Sequence, residues 1–160
     1  MDPAELLEPL EGQRDETLRV LQSLTPADLE VVVRGDGRTV LQLLCHLVDR
    51  EHGANFVISS ALAGDVVHLS QEDREEIARS ESDPAPDWDL ARIRAELAEV
   101  RESLRRTFRT MTADDLDLPI RWHEWPARTI RTSIPYMLEH EDSHLDEVRA
   151  AVARERRAAI

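Results

Sequence analysis

The chain has 160 residues, enough for a single domain spanning 1–160 that buries a core without disulfide staples. Its 33 acidic residues outnumber 20 basic ones for a net charge of −13, a field that repels phosphate backbones, so nucleic acid is not expected as a partner. Every one of the 20 bases is arginine and glycine is scarce, which excludes Schiff-base and pyridoxal chemistry, a P-loop and a dinucleotide-binding G-x-G-x-x-G turn.

No apolar run approaches 18 residues, so no membrane span is expected. The opening Met1-Asp2-Pro3-Ala4-Glu5 lacks the basic and apolar regions of a signal peptide. A single cysteine, Cys45, excludes an internal disulfide. The expectation is a soluble cytoplasmic protein.

Four helices are predicted. The first starts at Asp2, with Pro3 at its first position and Glu5 closing a capping box, and carries Leu7, Leu10, Leu18, Leu21 and Leu24. The second starts at the Thr39 cap and runs to about Ala63, before Gly64, with Val40, Leu43, Leu44, Leu47 and Ile58 facing inward. The third, capped by Asp87, places Ile93, Leu97, Val100, Leu104, Phe108 and Met111 on one seam. The fourth starts near Thr132 or Ser133, and Ile134, Leu138, Leu145, Val148 and Val152 share its buried sector. Strand-like alternation is all but absent; Glu30-Val31-Val32-Val33 is too short to count. The fold class is therefore all-α, a four-helix bundle.

Leu24-Thr25-Pro26-Ala27-Asp28-Leu29 after the first helix is echoed by Met111-Thr112-Ala113-Asp114-Asp115-Leu116 after the third. The chain thus reads as two related helical hairpins. The polar stretch 64–86 between them is long enough to cross the bundle and lets helices two and three run parallel. A short helix from Ser70 to Arg79 is expected within it.

His140 and His144 stand four apart, one above the other on a helix face, at the flank of the buried sector. His46 has the same placement on the second helix. It lies seven residues past Thr39, as His140 lies seven past Ser133, which predicts equal depth if both helices start at one end. Three imidazoles from two helices leave a divalent ion with open positions, the coordination of a reactive site rather than a closed structural one. His140-Glu141-Asp142-Ser143-His144 also matches the H-E-x-x-H of zinc peptidases. In the longer form of that motif, however, Glu147 and Ala150 occupy the Gly and His positions, and no strand is evident to hold a peptide.

The segments Leu44-Cys45-His46-Leu47-Val48-Asp49-Arg50-Glu51 and Leu138-Glu139-His140-Glu141-Asp142-Ser143-His144, with the long crossover, resemble the DinB-like metal-binding bundles. The resemblance covers nearly the whole chain. It implies nickel, zinc or iron held by His46, His140 and His144. It also implies kinship with S-transferases that use a low-molecular-weight bacterial thiol, such as mycothiol or bacillithiol. An early tryptophan frequent in that family is replaced by Arg38-Thr39-Val40-Leu41.

Glu51 and Glu141 project into the apolar sectors, either as partners of a ligand histidine or of metal-bound water, or as members of structural ion pairs. The loop Arg121-Trp122-His123-Glu124-Trp125-Pro126 is a candidate substrate wall, with Arg121, Trp122 and Trp125 as binding residues and Arg121 or Arg128 meeting a carboxylate. His123 is expected to be exposed rather than a ligand. His52 and His68 read as surface residues. Cys45 points about 100° away from His46 and reads as core. The functional expectation is a metal-dependent enzyme, a thiol S-transferase or hydrolase acting on small molecules. The alternative is a non-catalytic metal-binding stress or interaction protein. A homodimer is expected from the resemblance.

Overall fold

Asp2 caps α1 (Pro3–Ser23): its carboxylate accepts from the Ala4 amide at 2.9 Å and Glu5 reaches back to the Asp2 amide. A computed structural model describes residues 2–82, 87–121 and 127–160, and α1 is its first element. Thr39 and Gln42 form a second capping box at the start of α2 (Val40–Leu62), which ends where Gly64 adopts the positive φ that glycine tolerates. The crossover holds α3 (Gln71–Ser82), begun by a Ser70–Asp73 box.

Two helix starts differ from the sequence reading. The cap of α4 (Leu90–Thr110) is Asp89, which accepts from the Arg92 amide at 2.8 Å, rather than Asp87. The cap of α5 (Ile130–Ala158) is Thr129, rather than a residue near Thr132 or Ser133. The expected start lies just before Pro135, a residue type that favours the first helical turn. Pro135 sits instead inside the helix, behind a Thr129–Thr132 box that secures the true first turn. A two-stranded antiparallel ladder, β1 (Pro119–Ile120) with β2 (Arg128–Thr129), precedes α5 and was not expected.

Helices α1, α2, α4 and α5 form the bundle. α1 packs against α4 and α5, and α2 packs against the same two. The members of each hairpin, α1 with α2 and α4 with α5, therefore stand at opposite corners, and each hairpin buries its apolar stripe against the other. Hydrogen bonds fix the directions. Asn55 meets Ser103 and Thr107 while His52 lies by Glu96, so α2 and α4 run parallel, as the long crossover predicts. Arg105 meets Glu11 and Arg94 meets the Leu21 carbonyl, so α1 and α4 are antiparallel.

The core has two apolar clusters. One gathers Leu21, Val40, Leu44, Ile93, Leu97, Leu145 and Val148, the other Leu10, Ile58, Leu104, Phe108, Ile130 and Ile134. The last turns of α2 thus share a cluster with the first turn of α5, and these helices are antiparallel. On α1 the buried positions between Leu10 and Val20 are polar: Gln13, Arg14 and Thr17. They open a polar layer that the leucine spacing of α1 does not reveal.

The two hairpins repeat in detail. After each first helix a Thr-x-x-Asp turn closes, Thr25 onto Asp28 and Thr112 onto Asp115, and Leu29 and Leu116 are buried beneath. Each turn is followed by an antiparallel bridge to the next cap, Val32 with Thr39 and Pro119 with Thr129.

Candidate metal centre

The histidines meet where α2 and α5 pass each other. His46 Nε2 lies 3.4 Å from His140 Nε2, and His144 Nε2 lies 3.2 Å from the same atom. One ring nitrogen of each of the three lies within 4.8 Å of the others. The route to this meeting differs from the equal-depth expectation. His46 is seven residues past its cap and His140 eleven past Thr129, on helices that start at opposite ends. On antiparallel neighbours the sum of the two offsets, not their equality, decides whether residues share a level.

The donor set fits a divalent ion. Nitrogens about 2.0–2.1 Å from one ion at a tetrahedral angle stand roughly 3.3–3.4 Å apart. His46 is buried; burial, then the Arg38 and Arg50 guanidiniums and the two other imidazoles, pull it down to about 2, so it is a neutral ligand near pH 7. His144 Nδ1 lies 2.8 Å from Glu147 Oε2, which assigns the other nitrogen, Nε2, to the cluster. Sequence reasoning missed Glu147 in this role. The signal was its i+3 spacing from a candidate ligand.

Glu51 and Glu141 lie in the polar layer just inside the histidines. Glu51 is bound by two buried guanidiniums, Arg14 and Arg101, the latter at 2.6 Å; Arg101 also donates to the Leu10 carbonyl. Burial pushes the Glu141 carboxyl up against the pull of Arg14, and Thr17 donates its hydroxyl to it. Of the two readings for Glu51, the arginine pairing is what its contacts display. Both carboxylates nevertheless line a narrow cleft with His140, Arg50, Leu47 and Met137.

Tyr136 stacks on His140 with centroids 6.3 Å apart, and the Arg128 guanidinium sits 4.9 Å over the other ring partner, Tyr136 itself. Arg121 is exposed at the end of β1. The ladder holds that end near the start of α5, about 16 Å along the axis from His140 at ~1.5 Å per residue. Trp122, His123 and Trp125 lie outside the described residues. His52 and His68 are exposed. Cys45 is buried in the core, where burial, followed by Asp49, pushes its thiol up to about 12. No helix among the described residues is long and apolar enough to cross a membrane.

The sequence profile of the DinB superfamily matches residues 3–148. No curated protein matches the sequence. Among solved structures, the chain is similar to YfiT from Bacillus subtilis, described as a probable metal-dependent hydrolase with an unusual four-helix bundle topology. The TM-score is 0.74 at 16% identity, over 96% of this chain and 87% of that one.

Proposed function

This chain belongs to the DinB superfamily, and on that premise we propose that it is a divalent-metal-dependent enzyme whose ligands are His46, His140 and His144. The observation that carries the proposal is the convergence of three Nε2 atoms. With neutral imidazoles, a single proton on His140 Nε2 can serve only one of its two neighbours at 3.2 and 3.4 Å. The remaining contact leaves two ring nitrogens facing each other without a hydrogen bond of their own. A cation between the three rings removes that conflict, and imidazole sets suit nickel, zinc and iron.

When bound, such an ion polarises a substrate oxygen or lowers the pKa of a water or thiol that reaches it. Three protein ligands leave room for that molecule. The residues around the centre do the rest. Leu47 and Met137 give the cleft apolar walls, while Glu141 and Glu51 line its inner side. The reaction we propose is transfer of a low-molecular-weight bacterial thiol to a small electrophile, as the family resemblance implies. Hydrolysis is the second reading, favoured by the description of the Bacillus subtilis neighbour. The cleft beside His140 favours either enzyme over a non-catalytic metal-binding stress or interaction protein.

Metal analysis of the purified protein tests the ligands, beside the His140→Ala/His144→Ala double variant. The variant is expected to fold as the parent does and to lose its ion. Full occupancy in that variant refutes the proposal. Chelator-sensitive turnover of an electrophile panel with mycothiol or bacillithiol, or of ester and amide panels with water, separates the two reactions. Absence of both supports the non-catalytic alternative.

A further inference from the structure

We infer that Glu147 is the positioning residue of the centre: its carboxylate fixes the tautomer and ring orientation of His144, and thereby sets metal affinity. The inference rests on the three-histidine reading and deepens it. A neutral imidazole has one N–H and one lone pair, and only the lone pair can ligate. At 2.8 Å the Glu147 carboxylate accepts the proton on Nδ1, because a carboxylate has no hydrogen of its own to give. The lone pair is then on Nε2, the atom that faces His140 Nε2 at 3.2 Å.

Spacing and surroundings favour this role over that of an incidental surface pair. Glu147 follows His144 by three residues on α5, so both project from one face of the helix. The His144 side chain is 12% exposed against 40% for Glu147. The contact therefore runs from the rim of the centre to solvent, and the ring is held from its outer side. Helical packing holds the backbone on the inner side. Without Glu147, Nδ1 faces water, and the Nε2–H form that a free imidazole favours would point a proton at the other two ligands. Partners of this kind commonly change metal affinity by about 10–100-fold.

Two variants and two readouts test the inference. Glu147→Ala keeps a good helix former at a partly exposed position and is expected to fold. Nitrogen NMR of the metal-free protein, at a pH where the imidazoles are neutral, should report His144 as the Nδ1–H tautomer in the parent and as a mixture or the Nε2–H form in Glu147→Ala. Competition titration with zinc should show affinity falling by about 10–100-fold in Glu147→Ala. Glu147→Gln retains an acceptor oxygen and should keep the Nδ1–H tautomer and recover part of the affinity. An unchanged tautomer in Glu147→Ala overturns the inference, as does unchanged zinc affinity, or a Gln variant as weak as the Ala variant. If the parent itself binds no zinc, the metal reading fails. The tautomer in the metal-free variants still decides whether Glu147 orients His144.

Discussion

Replacing Glu51 with Ala should destabilise the bundle far more than any surface change. Glu51 is 5% exposed and is the carboxylate that Arg14 and Arg101 share; those two are 4% and 1% exposed. Its removal leaves two buried guanidiniums beside one remaining carboxylate, Glu141, which is itself engaged by Thr17. Breaking a buried pair by deleting one partner costs about 3–5 kcal/mol, because a charge stays desolvated without compensation. In a domain whose whole stability is of order 5–15 kcal/mol that is a large share. At ~2–4 °C per kcal/mol for a chain of this size, the midpoint should fall by roughly 6–20 °C. The control is Asp117→Ala, which breaks a solvent-screened surface pair with Arg131 at 3.0 Å and should cost far less. Urea unfolding followed by circular dichroism gives both values. A Glu51→Ala penalty no larger than that of Asp117→Ala would refute the account of the polar layer. Glu51→Gln adds a second distinction. A structural Glu51 predicts loss of stability with little specific effect on turnover, whereas a proton-transferring Glu51 predicts lost turnover in a protein that still folds.

Two further predictions concern single groups. Burial pushes the Asp28 carboxyl up, but hydrogen bonds from Arg156 and from the Thr25 amide and hydroxyl outweigh it and hold it below its usual 3.8. Its contribution is therefore complete above pH 3.8 and is lost as pH falls through the lower folded value. The stability gap between the parent and Asp28→Asn, measured by urea unfolding from pH 7 to pH 2, should be constant near neutrality and close in acid; a flat gap to the lowest pH would contradict this. Cys45, with its thiol pushed up to about 12, should be inert to Ellman's reagent at pH 8 in the native protein. The thiolate fraction there is about 10⁻⁴. It should react promptly once urea unfolds the chain, and prompt reaction of the folded protein would show that the position is not sealed.

The parts of the fold that were legible in the sequence are those decided by neighbouring residues. Asp2 with Glu5 and Thr39 with Gln42 mark helix starts because each box is closed within one turn. The seam from Ile93 to Met111 marks the buried face of α4 because all six residues obey a helical period, and all six are buried. The starts of α4 and α5 differ from the sequence reading because the caps that close are Asp89, two residues past Asp87, and Thr129, one turn before Ser133. The polar layer was hidden for a different reason. Arg14 and Arg101 look like ordinary surface arginines in one dimension, and only packing reveals that both end on Glu51. The convergence of His46 with His140 and His144 follows from flank position, which survives a wrong helix start; equal depth required both helices to start at one end, and α2 and α5 start at opposite ends.

The internal repeat explains why, among the described residues, the three histidines gather on one side of the bundle and not on both. Counted from the caps Thr39 and Thr129, Leu47 corresponds to Met137 and Glu51 to Glu141, while Arg14 and Arg101 stand ten residues before Leu24 and Met111. The cleft and the polar layer are thus built from equivalent positions of the two hairpins. The histidines break that equivalence. His46 corresponds to Tyr136, His140 to Arg50 and His144 to Ala54. A cation can gather three imidazoles on one side of the scaffold, while the matching positions on the other side supply an aromatic ring, a guanidinium and a methyl group, none of which suits a divalent ion. Shared positions therefore build the cleft and the packing, and the positions where the halves differ supply the candidate ligands. Tyr136, which stands where the other half has the candidate ligand His46, stacks on His140.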